Sequence, residues 1–230
     1  MNWKEIKLNS ENQFTHKGEA LFSKKYEDAL KFHEPGLAPV KDKSGWHHIT
    51  FEGKDLYQKR YARAFGYYFN RAAVEDHEGC LHLDETGKEL YKDRYAWCGN
   101  YQEFMCTVKR KDGYYQYIDL SGKRLFGSDF LYTGDFKDGI ACVKTTKGWT
   151  HIDSNGGYLH DQYFSGLGIY HKGFATALDS KGWFHIDRKG SPVYEARFDT
   201  IEPFYNGMAL VFRFGVAHLV DEGGNISTLF

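Results

Sequence analysis

Short runs of alternating apolar and polar residues fill this chain, and the runs return at a fixed interval. GIACVK at 139–144 is small and β-branched, 145–148 reads as a turn, and WTHID at 149–153 is a second run. Ser154, Asn155 and Gly156 then make a hairpin turn with glycine where positive φ is wanted, and 158–160 returns as a short third run. Runs of this composition and period predict strands. The turn glycine recurs at Gly18, Gly53, Gly87, Gly122, Gly156, Gly190 and Gly223, spaced 33 to 35 residues apart. Three residues after it stands an aliphatic (Leu56, Leu90, Leu125, Leu159), and eight after it an aromatic (Tyr61, Tyr95, Phe130, Phe164). A small residue recurs at Ala38, Ala72, Cys106, Ala141, Ala175 and Ala209, with Val or Ala two positions on.

Four position classes held in one register define an internal repeat. The expected fold is all-β: about seven tandem units of about 34 residues, each a three-stranded antiparallel meander, in a single repeat domain spanning 1–230. One such unit barely folds alone, so each is expected to bury its faces on its neighbours. An open, twisted solenoid-like array and a closed propeller-like ring both satisfy that packing. The stretch 19–32 has few helix breakers, but Leu21, Phe22 and Tyr26 occupy strand and anchor positions of the later copies, so strands are expected there too.

The best-kept copies read KGWTHID at 147–153 and KGWFHID at 181–187, with GIACV and GMALV in the preceding strand. This pattern resembles the bacterial WG-repeat family, and the match runs along nearly the whole chain. Where that family often has Gly after Trp, this sequence has His47, Leu81, Gln116, Thr150, Phe184 and Ala217, which marks a divergent member. The resemblance implies repeated β-structure and an interaction role, and it implies no catalytic residues.

Charge narrows the partner class. Thirty basic and 31 acidic side chains nearly cancel, whereas nucleic-acid and membrane binders usually carry a basic surplus. Lys109-Arg110-Lys111 reads as a solvated hairpin tip. The four cysteines lack CxxC spacing, and Cys80 and Cys106 stand where other copies have core residues. The N-terminal stretch has no apolar signal region, so a cytoplasmic protein without cofactors is the expectation.

One column of side chains could carry chemistry. Two residues after each Trp position stand His48, His82, Tyr117, His151, His185 and His218, on the same strand face as the Trp column. Converging imidazoles would make a metal site or a metal-dependent enzyme. Tyr117 argues instead for a structural column, because His and Tyr share an apolar body with one polar tip. Asp84, Asp119, Asp153 and Asp187 enter each turn, where bonding to the turn's own backbone explains them. DSNGG at 153–157 lacks the Glu of a calcium loop, since position 164 is Phe. No nucleophile elbow, P-loop or dinucleotide fingerprint is present. Departures from the repeat are the remaining candidates. Trp97 and Arg94 share one connector and His171 lies in another, and these residue types suit binding surfaces. The expected function is a non-catalytic scaffold that binds a protein partner through its connectors, with carbohydrate binding as a further alternative.

Overall fold

The computed structural model describes residues 2–229. By internal packing the chain divides into two compact units, 1–125 and 126–230. Among the described residues the first holds four antiparallel sheets and the second three. In the first unit the central strands are Phe14–His16, Leu37–Asp42, Arg71–Asp76 and Met105–Lys109. In the second they are Ile140–Thr145, Ala175–Asp179 and Met208–Arg213. The only helical element among the described residues is the 3-10 turn Trp3–Glu5, and 19–32 carries the strands Glu19–Ala20 and Asp28–Ala29.

Each sheet is three strands in sequence order, as the repeat predicts, but its boundaries are shifted. From the second sheet on, a strand comes from the connector that precedes the small-residue strand, whereas in the first sheet Glu19–Ala20 follows the turn as expected. Tyr132–Thr133 pairs with Ile140–Thr145, which pairs with Gly148–Asp153. Residues 158–160, expected as the third strand, contribute a single bridge, Ile152↔Tyr158. The chain turns away there because the next anchor needs it: Phe164 exchanges both backbone bonds with Trp149 at 2.9 Å. Trp46 and Tyr61, Cys80 and Tyr95, and Trp183 and Phe198 repeat the exchange. Among the described residues, only the last sheet gains a fourth strand, Ile226–Thr228.

Sheets of this kind bury both faces. In Gly148–Asp153 the successive residues Thr150, His151 and Ile152 are all buried. Small residues make this possible: Ala38, Ala72, Cys106, Ala141, Ala175 and Ala209 are almost fully buried, so adjacent sheets approach closely over them. The core is therefore a series of small clusters, such as Tyr61, Ala64, Val74, Leu81 and Leu83, with Trp46, Tyr57 and Tyr91 packed against them.

The turns behave as expected. Asp119 Oδ1 accepts from the backbone N–H of Ser121 at 2.8 Å and of Lys123 at 3.0 Å, and Asp84, Asp153 and Asp187 do the same. The glycine that follows is held twice. Gly122 has φ of +80°, and a Cβ on it would overlap the ring of Tyr91 from the preceding copy. Left-handed strain and the clash add, so Gly122→Ala is expected to cost about 2–4 kcal/mol, read as a lowered urea midpoint. Asp119→Ala is expected to cost less, about 1–2 kcal/mol, because only turn hydrogen bonds are lost.

Candidate functional site

The histidine column becomes a set of identical internal fittings. His48 Nε2 lies 2.8 Å from the carbonyl oxygen of Phe65, and its Nδ1 lies 2.6 Å from the hydroxyl of Tyr57. His82 repeats this with Gly99 O at 2.9 Å and Tyr91 Oη at 2.6 Å, and His185 with Glu202 O at 2.9 Å and Tyr194 Oη at 2.6 Å. In the copy between, His151 Nε2 meets Gly168 O at 2.8 Å and Nδ1 meets His160 Nε2 at 3.2 Å. A carbonyl can only accept, so Nε2 carries the proton and Nδ1 accepts from the tyrosine O–H.

The rings are fully buried, and burial pushes the pKa of His48, His82, His151 and His185 down from 6.5 to about 4. Neutral imidazoles with both nitrogens bonded have no lone pair left for a metal. Among the described residues no group of three or more His, Cys, Asp or Glu side chains is arranged to hold an ion. Tyr117, the odd member, is buried like its neighbours, while His218 is only half-buried and meets Thr228 Oγ1 at 3.2 Å.

Each fitting reaches further into the next copy. Tyr67 packs edge-on against His48 at 4.8 Å and Tyr101 against His82 at 5.0 Å. Their hydroxyls donate to the turn carbonyls of Asp84 and Asp119, at 3.1 and 2.9 Å, and Tyr170 donates likewise to Asp187 at 2.8 Å. The tyrosine nine residues after the histidine is present in the sequence as Tyr57, Tyr91 and Tyr194, a spacing that would have marked the pair.

Of the three connector candidates, Arg94 and Trp97 belong to the first unit and His171 to the second. Arg94 is a structural clamp: Nε bonds Asp76 at 3.0 Å, Nη2 bonds Glu89 at 2.9 Å, and Nη1 donates to the carbonyls of Lys92 and Asp93. It has counterparts, contrary to the expectation of a departure. Arg60 and Arg197 also stand just before the anchor aromatic and gather the same set of carbonyls and a carboxylate. Arg94→Ala is expected to lower stability by about 1.5–3 kcal/mol in a urea titration, the range for hydrogen bonds to charged groups. Trp97 lies on the edge strand Trp97–Cys98, 48% exposed, with its ring 6.5 Å from Tyr115. His171 belongs to the second unit, half-buried under Tyr205 at 5.2 Å. The exposed rings missed by sequence reasoning are Phe69 and Phe104 in the first unit. Their signal was the replacement of the usual turn glycine by Asn70 and Phe104.

No curated protein matches the chain. Among solved structures, that of BamB from Moraxella catarrhalis is 14% identical, covering 84% of this chain and 70% of its own, at a TM-score of 0.47. A structure described as the eukaryotic initiation factor is 12% identical over 93% of this chain and 67% of its own, at a TM-score of 0.55. That of Kluyveromyces lactis Hsv2p is 7% identical over 93% and 88%, at 0.46. Identities this low speak to fold alone. Residues 183–212 match the family model described as WG containing repeat, which supports assigning that copy to the WG-repeat family, and the other copies hold that segment's register.

Proposed function

We propose that the chain is a non-catalytic interaction module, a rigid β-repeat scaffold that binds a protein partner through its connectors and hairpin tips. One observation carries this reading: the side chains with chemistry to offer are committed to the scaffold itself. Four of the six buried histidines, His48, His82, His151 and His185, have both nitrogens bonded, and Arg60, Arg94 and Arg197 clamp their own connectors. What faces solvent instead is a scatter of large rings, including Trp97 and Tyr205. Such rings are frequent anchors in protein interfaces, and the balanced charge favours protein over nucleic acid or membrane as the partner.

The test is affinity capture from the native host with the purified chain, read by mass spectrometry, alongside a turnover assay on the same preparation. A specific, saturable protein partner and no metal-dependent hydrolysis are the expected results. Turnover of a small molecule that is lost on His151→Ala or His185→Ala, with the fold intact, would overturn the reading.

A further inference from the structure

After each anchor aromatic the chain doubles back through a hairpin, and in five copies its tip is a two-residue turn. The residue pairs are Phe69-Asn70, Glu103-Phe104, Asp138-Gly139, Lys172-Gly173 and Asn206-Gly207, flanked by pairs such as Tyr68↔Arg71 and Gln102↔Met105. All ten residues have positive φ, the geometry for which Asn-Gly and Asp-Gly are the favoured sequences. The last three tips all have Gly at the second position, and two of them are Asp-Gly and Asn-Gly. The first two place phenylalanine in the left-handed region, at φ of +51° for Phe69 and +67° for Phe104, where a bulky side chain is sterically disfavoured.

Both phenylalanines also face water, Phe69 41% and Phe104 63% exposed, with ring centroids 4.8 Å apart and planes at 63°. Their mutual contact leaves a large part of each residue uncovered. Backbone strain and solvated apolar surface at one spot point to function. The tilted rings form a notch, the mouth of a cavity of about 450 Å³ lined by Glu34, Phe69, Asn70, Phe104 and Leu120. This is room for a side chain or two of a partner.

The lining carries one carboxylate and no cation. Glu34 is exposed in the neighbouring turn between His33 and Leu37, and the nearby Arg71 is held by Glu85 at 2.9 Å and by the carbonyl of Leu120 at 2.9 Å. Aromatic faces are electron-rich and attract a guanidinium, which also matches a carboxylate in a fork. Rings at this angle offer no flat platform for a sugar. We propose that the Phe69–Phe104 notch docks an arginine flanked by aliphatic residues in a protein partner, with its guanidinium between the rings and the Glu34 carboxylate. This deepens the interaction-module reading and rests on it.

The test uses the full chain and three labelled eight-residue peptides in which leucine alternates with arginine, glutamate or serine, read by fluorescence anisotropy at low salt. The arginine peptide is expected to bind saturably and at least about ten-fold tighter than the serine peptide. The double variant F69N/F104G restores the residue types of the other tips. It is expected to weaken arginine-peptide binding about ten-fold or more while raising Tm by a few degrees. Glu34→Lys is expected to shift preference toward the glutamate peptide. Equal binding of all three peptides, no binding of any, or binding unchanged in F69N/F104G would each overturn the notch. A host partner captured equally by the wild type and by F69N/F104G sinks the notch and leaves the scaffold standing; no captured partner at all sinks the scaffold.

Discussion

Replacing His82 by alanine is expected to destabilise the first unit by about 3–5 kcal/mol, the upper range for a single substitution. Three losses coincide. A fully buried ring leaves a cavity among Tyr91, Tyr101 and Cys106. The Tyr91 hydroxyl loses its acceptor at 2.6 Å and the Gly99 carbonyl its donor at 2.9 Å, both away from water. His82→Phe keeps most of the volume and leaves only the two orphaned groups, so it is expected to cost less, about 2–3 kcal/mol. Urea titration separates the two variants. Because each copy leans only on its neighbours, amide exchange should accelerate most around the strands Trp97–Cys98 and Met105–Lys109. A loss below about 1 kcal/mol for the alanine variant would show that the fitting is incidental.

Acidification is expected to unfold the protein within a window set by the same rings. His48, His82, His151 and His185 have folded pKa values of about 4 against an ordinary 6.5, so the unfolded chain binds protons that the folded chain refuses. Stability therefore rises with pH: their contribution is complete above 6.5 and is lost as pH falls from there toward 4. Each unit of pH in the window removes about 1.4 kcal/mol per imidazole, so pH 5 removes about 2 kcal/mol from each ring. The first unit holds two of these rings and the second two, which puts the loss at about 4 kcal/mol in each. Circular dichroism of urea unfolding at pH 7, 6 and 5 gives the slope directly. A midpoint that stays flat across those three values would contradict neutral, proton-excluding histidines.

The parts of this molecule legible in its sequence are those fixed by local chemistry. Gly122 and Asp119 announce a turn wherever they recur, and the Ala141-x-Val143 spacing announces a strand buried on both faces. Sheet membership was less legible. Tyr158 and Tyr132 sit in similar short runs, and which of them becomes the edge strand is decided by the anchor Phe164 exchanging bonds with Trp149, a contact fifteen residues apart. The histidine column was visible as a column, and Tyr117 within it argued for a structural role. Its partners were not read, since a carbonyl acceptor such as Gly99 O leaves no mark on side-chain composition. Arg94 looked unusual because its carboxylate partners Asp76 and Glu89 belong to a different strand and a different turn. Phe104 hid for the opposite reason: an apolar residue among many in an aromatic-rich chain reads as core until the backbone shows it at a hairpin tip.

The wiring between copies also constrains how such a chain can vary in length. From each of His48 and His82 the hydroxyl donor lies nine residues on, the carbonyl seventeen and the edge-on tyrosine nineteen. A single inserted residue between His82 and Tyr91 would shift all three partners together, whereas excising a whole copy keeps the spacing and hands the histidine the corresponding positions of the following one. Growth and shrinkage by complete modules is thus the cheap genetic route, and slippage within a module is the ruinous one.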